Sequence, residues 1–169
     1  ISIDNYAVMK KLVLHLIQEH GARTFNFISG PEENYEANER LRAFKDALAE
    51  NGIEFDENRR LYKGHFRSHD GIKAIDSFIK SRMPLPDAFV CANDSMALTA
   101  MNKLQSCGYK VPDDVIVTGF DNTFNARNSC PVLTTVKRPL YASGAKACET
   151  LISLINAVNS FNSSFISSS

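Results

Sequence analysis

The sequence carries no excess of either charge: nineteen Lys and Arg residues offset nineteen Asp and Glu among 169. A grip on DNA or RNA phosphates needs clustered basic residues, so this chain is not expected to bind nucleic acid directly. It lacks any apolar run near the roughly 20 residues that span a bilayer, so no membrane partner is expected. Its start, Ile1-Ser2-Ile3-Asp4, holds no methionine and neither the basic nor the apolar stretch of a signal peptide. It alternates like a strand and reads as part of something longer. Four cysteines, at 91, 107, 130 and 148, form no C-x-x-C pair and no metal-ligand spacing. Reduced, they behave as small hydrophobes, which points to a reducing, cytoplasmic compartment. His65 and His69 flank a strand-to-loop junction and do not share a helix, so they do not have the geometry of a metal pair. Also missing are the G-x-S-x-G elbow, the G-x-G-x-x-G fingerprint and the Walker loop. Nucleophilic hydrolysis and nucleotide-phosphate binding thereby lose their usual signatures, and no cofactor is called for.

What is present is ordinary in bulk: 44% hydrophobic and 22% charged residues, about one soluble domain's worth. Along the chain two periodicities alternate. Met9, Leu12, Val13 and Leu16 recur at helical spacing before Gly21, and Leu41, Phe44 and Leu48 do so before Asn51-Gly52. Ile72, Ile75, Phe78 and Ile79 mark a third helix, and Ala97, Ala100 and Leu104 a fourth. A last helix is predicted over 139–158, with Leu151, Leu154, Ile155 and Val158 on one face. Between them lie short β-type runs: Phe25-Asn26-Phe27-Ile28, a weak Leu61-Tyr62, Ala88-Phe89-Val90-Cys91, Val115-Ile116-Val117 and Leu133-Thr134-Thr135-Val136. This alternation predicts an α/β fold, an open parallel sheet with helices on both faces.

In such sheets ligands bind beyond the carboxyl ends of the strands. Asp121 ends one apolar run there, and Asn93-Asp94 follows another. Asp94 and Asp121 could form the carboxylate pair of a glycoside hydrolase. Asp94 could equally serve the start of its helix. The remaining reading is a set of polar side chains that hold a small polyhydroxylated molecule without reacting with it.

The stretches F-I-S-G-P, R-L-R-A-F, C-A-N-D-S-M-A-L, V-P-D-D-V-I-V-T-G-F-D-N and P-V-L-T-T-V, in this order, resemble the lactose-repressor/galactose-repressor (LacI/GalR) family. The likeness is to its effector-binding module, which has the periplasmic-binding-protein-like type I fold. It implies that residues 1–22 end the N-terminal lobe and include a crossover helix, and that 23–134 form the C-terminal lobe. Residues 135–158 would cross back as a helix to the N-terminal lobe, and 159–169 would be a tail or linker. With part of that lobe missing, helices 6–17 and 139–158 are expected to leave apolar faces uncovered. Position by position, the resemblance implies four effector contacts. Arg40 offers a planar fork, Phe66 a flat ring, Asn93 an amide that donates and accepts, and Asp121 a carboxylate for two hydroxyls. Each also has a local reading: a helix-surface arginine, a core Phe, a helix N-cap and a turn-capping Asp. Asn34 and Glu36 would stand at the pocket edge, and Glu36 would repel a bound anion such as a sugar phosphate.

The function implied is sensing of a small polar effector, a sugar being the best fit to these groups, by a non-enzymatic module. DNA would be reached only through a helix-turn-helix outside this chain. The E-H-G-A-R stretch at 19–23 departs from the repressor pattern and resembles modules fused to diguanylate cyclases or histidine kinases. An exported sugar-binding protein is a third possibility. The resemblance further implies a homodimer. Met96, Met101 and Phe124 would form its apolar centre and Lys103 and Arg127 its rim. Phe124 could instead fold under its own loop.

Overall fold

A computed structural model describes residues 4–138 and 144–156. Two compact units are distinguished, Asp4–Lys137 and a smaller one made of Ile1–Ile3 with Arg138–Ser169. The larger unit contains five strands: β1 Phe25–Ile28, β2 Leu61–Tyr62, β3 Ala88–Cys91, β4 Ile116–Asp121 and β5 Thr134–Lys137. All neighbours pair in parallel, in the order β2-β1-β3-β4-β5. The longer helices are α1 Asn5–His20, α2 Tyr35–Glu50, α4 Ser68–Ser81 and α5 Asp94–Ser106, with single turns α3 Glu57–Arg60 and α6 Phe124–Arg127.

Local chemistry sets the helix ends. The Asp4 carboxylate accepts from the Ala7 amide at 2.8 Å, and Gly21 closes α1 at φ 66°, a conformation that costs glycine nothing. Asn34 caps α2 through the Ala37 amide at 2.9 Å. Strands β1 and β3 are buried along their whole length, as parallel strands covered on both faces must be.

Side-chain alternation shows how the two faces are covered. Phe25 and Phe27 of β1 pack on Phe44 of α2, with ring centroids 6.0 and 4.7 Å apart. Phe89 of β3, which pairs with Asn26 and so points the other way, meets Phe78 of α4 edge-on at 5.4 Å. Helix α1 packs with α2, and α4 with α5.

Three expectations are corrected here. Helix α1, within the Asp4–Lys137 unit, does not leave its apolar side uncovered: Met9, Val13 and Leu16 are buried in the core shared with Phe25 and Phe44. The strand expected at 115–117 runs instead over Ile116–Asp121, so Asp121 is itself the last strand residue, and β5 begins one residue later than expected.

In the smaller unit, residues 144–156 form a helix. Its Leu151, Ile152, Leu154 and Ile155 are all exposed. Residues 139–143 and 157–169, which include Val158 and the expected tail 159–169, lie outside the described residues.

Candidate functional site

Strand order 2-1-3-4-5 changes direction between β1 and β3, and the crevice beyond the strand ends at such a switch point is where open α/β sheets bind ligands. Arg40 of α2 reaches this place. It is only 2% exposed, and three hydrogen bonds hold it. Its Nε donates to Asn5 Oδ1 at 2.8 Å, one terminal nitrogen donates to the Ala92 carbonyl at 2.6 Å, and the other to Glu36 Oε2 at 3.0 Å. The guanidinium lies 3.8 Å from the centroid of Phe120 and 5.8 Å from that of Phe66. Burying a guanidinium is expensive unless its donors find partners, and the Nε and both terminal nitrogens each have one here, which a lysine could not reproduce.

Phe66 holds a left-handed backbone, φ 61°. Its ring is seated against Gly30, where an added Cβ would stand 2.3 Å from the ring tip. The loop before it is clasped by Asp70, whose Oδ2 accepts from the amides of His65 at 2.7 Å and Arg67 at 3.1 Å. Burial alone would raise the Asp70 carboxyl, but these two amides and the neighbouring His69 hold it below the usual carboxylate range.

Asn93 caps α5 by accepting from the Met96 amide, and its Nδ2 donates to the Phe66 carbonyl, both at 3.0 Å. The N-cap reading and a role beside Phe66 therefore hold together. Asp121 sits half-buried at the tip of β4 with φ 116°. Asn34 is the exposed cap of α2, and Glu36 is the half-buried partner of Arg40. Structure thus gathers Arg40, Phe66, Asn93 and Glu36 into one linked group and places Asp121 at the end of the adjacent strand.

Two residues were missed by sequence reasoning: Asn5 and Phe120, which contact Arg40. Asp94, weighed as a catalytic acid or a helix cap, is occupied structurally. The Asp94 carboxylate is 1% exposed, accepts from the Thr123 amide at 2.7 Å, and accepts from the Thr135 hydroxyl. A carboxylate so committed is unsuited to act as a general acid with Asp121, which removes the basis for the hydrolase pair.

The four proposed dimer residues divide. Met96 and Met101 are correctly read as apolar but not as interfacial: both are buried in the chain's own core, where α5 packs on α4 and the sheet. Phe124, at 71% exposure, and Arg127 face solvent. Lys103 pairs with Asp76 at 3.0 Å. Among the described residues no group of His, Cys, Asp and Glu could hold a metal ion, and no helix is long and apolar enough to cross a membrane.

The family of periplasmic binding protein-like domains matches residues 13–164. The HTH-type transcriptional regulator CelR of Thermobifida fusca is 33% identical over 155 residues, which is 92% of this chain and 45% of that protein. A transcriptional regulator CelR–cellobiose complex matches with a TM-score of 0.84 and 32% identity, over 92% of this chain and 46% of that one. A sugar-binding transcriptional regulator of the LacI family from Escherichia coli matches with a TM-score of 0.77 and 31% identity, over 82% of this chain and 49% of that one. The chain spans about half the length of the curated relatives it matches. With the parallel sheet, the switch-point arginine and these likenesses together, the chain belongs to the periplasmic binding protein-like domain family, among the effector-binding modules of LacI-family transcriptional regulators.

Proposed function

We propose that the strand tips bind a small, neutral, polyhydroxylated effector, a sugar or glycoside, through Arg40, Phe66, Asn93 and Asp121. The observation that carries this is the buried Arg40 guanidinium at the switch point, over the Phe120 ring, near Phe66 and partnered by Glu36. Glu36 beside the site disfavours an anionic effector, while hydroxyls find both donors and acceptors among these side chains. Phe66 supplies a face for the C–H side of a ring. The CelR–cellobiose complex among the similar structures agrees with this ligand class.

On this reading the chain is the sensing part of a cytoplasmic transcriptional regulator and catalyses no reaction. Effector binding closes the two lobes on each other, and the shift reaches DNA through a domain outside this chain. The signalling-enzyme and transport readings draw no support from the relatives, which are transcriptional regulators. The domain division carried into this proposal is 1–22 as the end of the N-terminal lobe with a crossover helix, 23–134 as the C-terminal lobe, and 135–158 returning to the N-terminal lobe. Self-association through the loop 124–130, centred on Phe124, belongs to the same proposal.

Calorimetric titration tests the site. Asp121→Asn should weaken cellobiose or a related sugar by about 1.5–3 kcal/mol, the scale of hydrogen bonds to a charged group, and leave the fold intact. Unchanged affinity in that variant would refute the site.

A further inference from the structure

Three of the stretches noted in the sequence, A-N-D, G-F-D and L-T-T-V, meet around the backbone that follows Asp121. Asp121 has φ 116° and Asn122 φ 53°. Asparagine tolerates the left-handed region, but an aspartate at φ 116° is strained, and such residues persist only where their surroundings hold them.

Here the surroundings are specific. The Asn122 amide donates to Thr135 Oγ1 at 3.2 Å, and the Thr123 amide donates to Asp94 Oδ2 at 2.7 Å. The Thr135 hydroxyl in turn donates to Asp94 Oδ1, which joins the two supports into one clasp. Asp94 is not capping its own helix, since Asn93 does that through the Met96 amide. Both Asp94 oxygens instead reach across to the β4 and β5 side of the sheet. Gly119 makes the approach possible: a Cβ there would lie 2.3 Å from Asp94 Oδ1.

We infer that Asp94 and Thr135 are positioning residues that fix the backbone after Asp121 and so aim its carboxylate beyond the strand tips. This rests on the reading of Asp121 as an effector contact, and the experiment separates the two.

Amide hydrogen exchange by NMR on the full-length protein reads the clasp without any ligand. In Thr135→Val the amides of Asn122 and Thr123 should exchange about tenfold faster, the scale of one lost hydrogen bond, while those of β1 and β3 keep their protection. Thr135→Ser retains the hydroxyl and should restore both amides. Unchanged exchange at Asn122 and Thr123, or an equal loss of protection across the whole sheet, overturns the inference. A Ser variant that behaves like the Val variant does so too.

Cellobiose titration supplies the second arm. Thr135→Val should weaken binding about tenfold, and should add nothing in an Asp121→Asn background, since the two act through one contact. If Asp121→Asn weakens binding and Thr135→Val does not, the positioning role is wrong. If wild type binds no cellobiose, or Asp121→Asn binds it normally, the sugar-site reading fails while the exchange result stands by itself.

Discussion

The Arg40 guanidinium stacks 3.8 Å from the centre of the Phe120 ring, so a fully buried cation rests on a residue of the sheet. A desolvated cation over an aromatic face is held by the ring's quadrupole with about 2 kcal/mol or more. Replacing Phe120 by Leu removes that attraction and leaves a small void. Urea denaturation should show a loss of about 2–4 kcal/mol. A loss below about 0.5 kcal/mol would mean that the other Arg40 partners suffice without the ring.

Gly119 faces the Asp94 carboxylate at a distance that leaves no room for a methyl group, and Leu133 Cδ2 stands 2.9 Å from the same position. Gly119→Ala therefore has to displace a hydrogen-bonded carboxylate. The expected cost is about 1–3 kcal/mol, as for other overpacking changes. Thermal melting of the variant checks this, and a melting temperature equal to wild type would contradict it.

Acid should loosen the loop that carries Phe66. The Asp70 carboxyl is held below its ordinary value chiefly by the His65 and Arg67 amides, against the effect of burial. A depressed folded pKa stabilises the fold above the unfolded value of about 4 and loses that contribution as pH falls through the folded value. Melting curves from pH 6 down to pH 2 should fall more steeply for wild type than for Asp70→Asn, which cannot titrate. Parallel curves would show that the clasp does not govern acid stability.

Phe124 is the large exposed aromatic of the loop after β4, and Arg127 lies one turn along. If this patch meets its own copy across a two-fold axis, one aromatic is used twice. Sedimentation should then show wild-type dimers and Phe124→Asp monomers, because the new carboxylate would face its symmetry mate. A variant that remains dimeric would place the interface elsewhere.

The elements themselves could be read without the fold. Helix spacing at Met9, Val13 and Leu16, and the apolar runs at 25–28 and 88–91, reflect local preferences and a burial pattern that repeats with the geometry of each element. The tips at Asn93 and Asp121 were legible for the same reason, as polar residues closing apolar strands. What the sequence could not show was which distant groups would meet there. Asn5 and Arg40 are 35 residues apart, and Thr135 and Asp94 are 41 apart; only the folded sheet brings either pair within hydrogen-bond reach. The methionines of α5 carry the same lesson. Met96 and Met101 have the composition of an interface, but an apolar side chain looks identical in sequence whether it faces a partner or its own core. Packing of α5 against α4 and the sheet decided that they face inward. Backbone strain at Asp121 was likewise decided by tertiary structure, since an aspartate holds φ 116° only where a buried carboxylate and a threonine hydroxyl capture the amides beyond it.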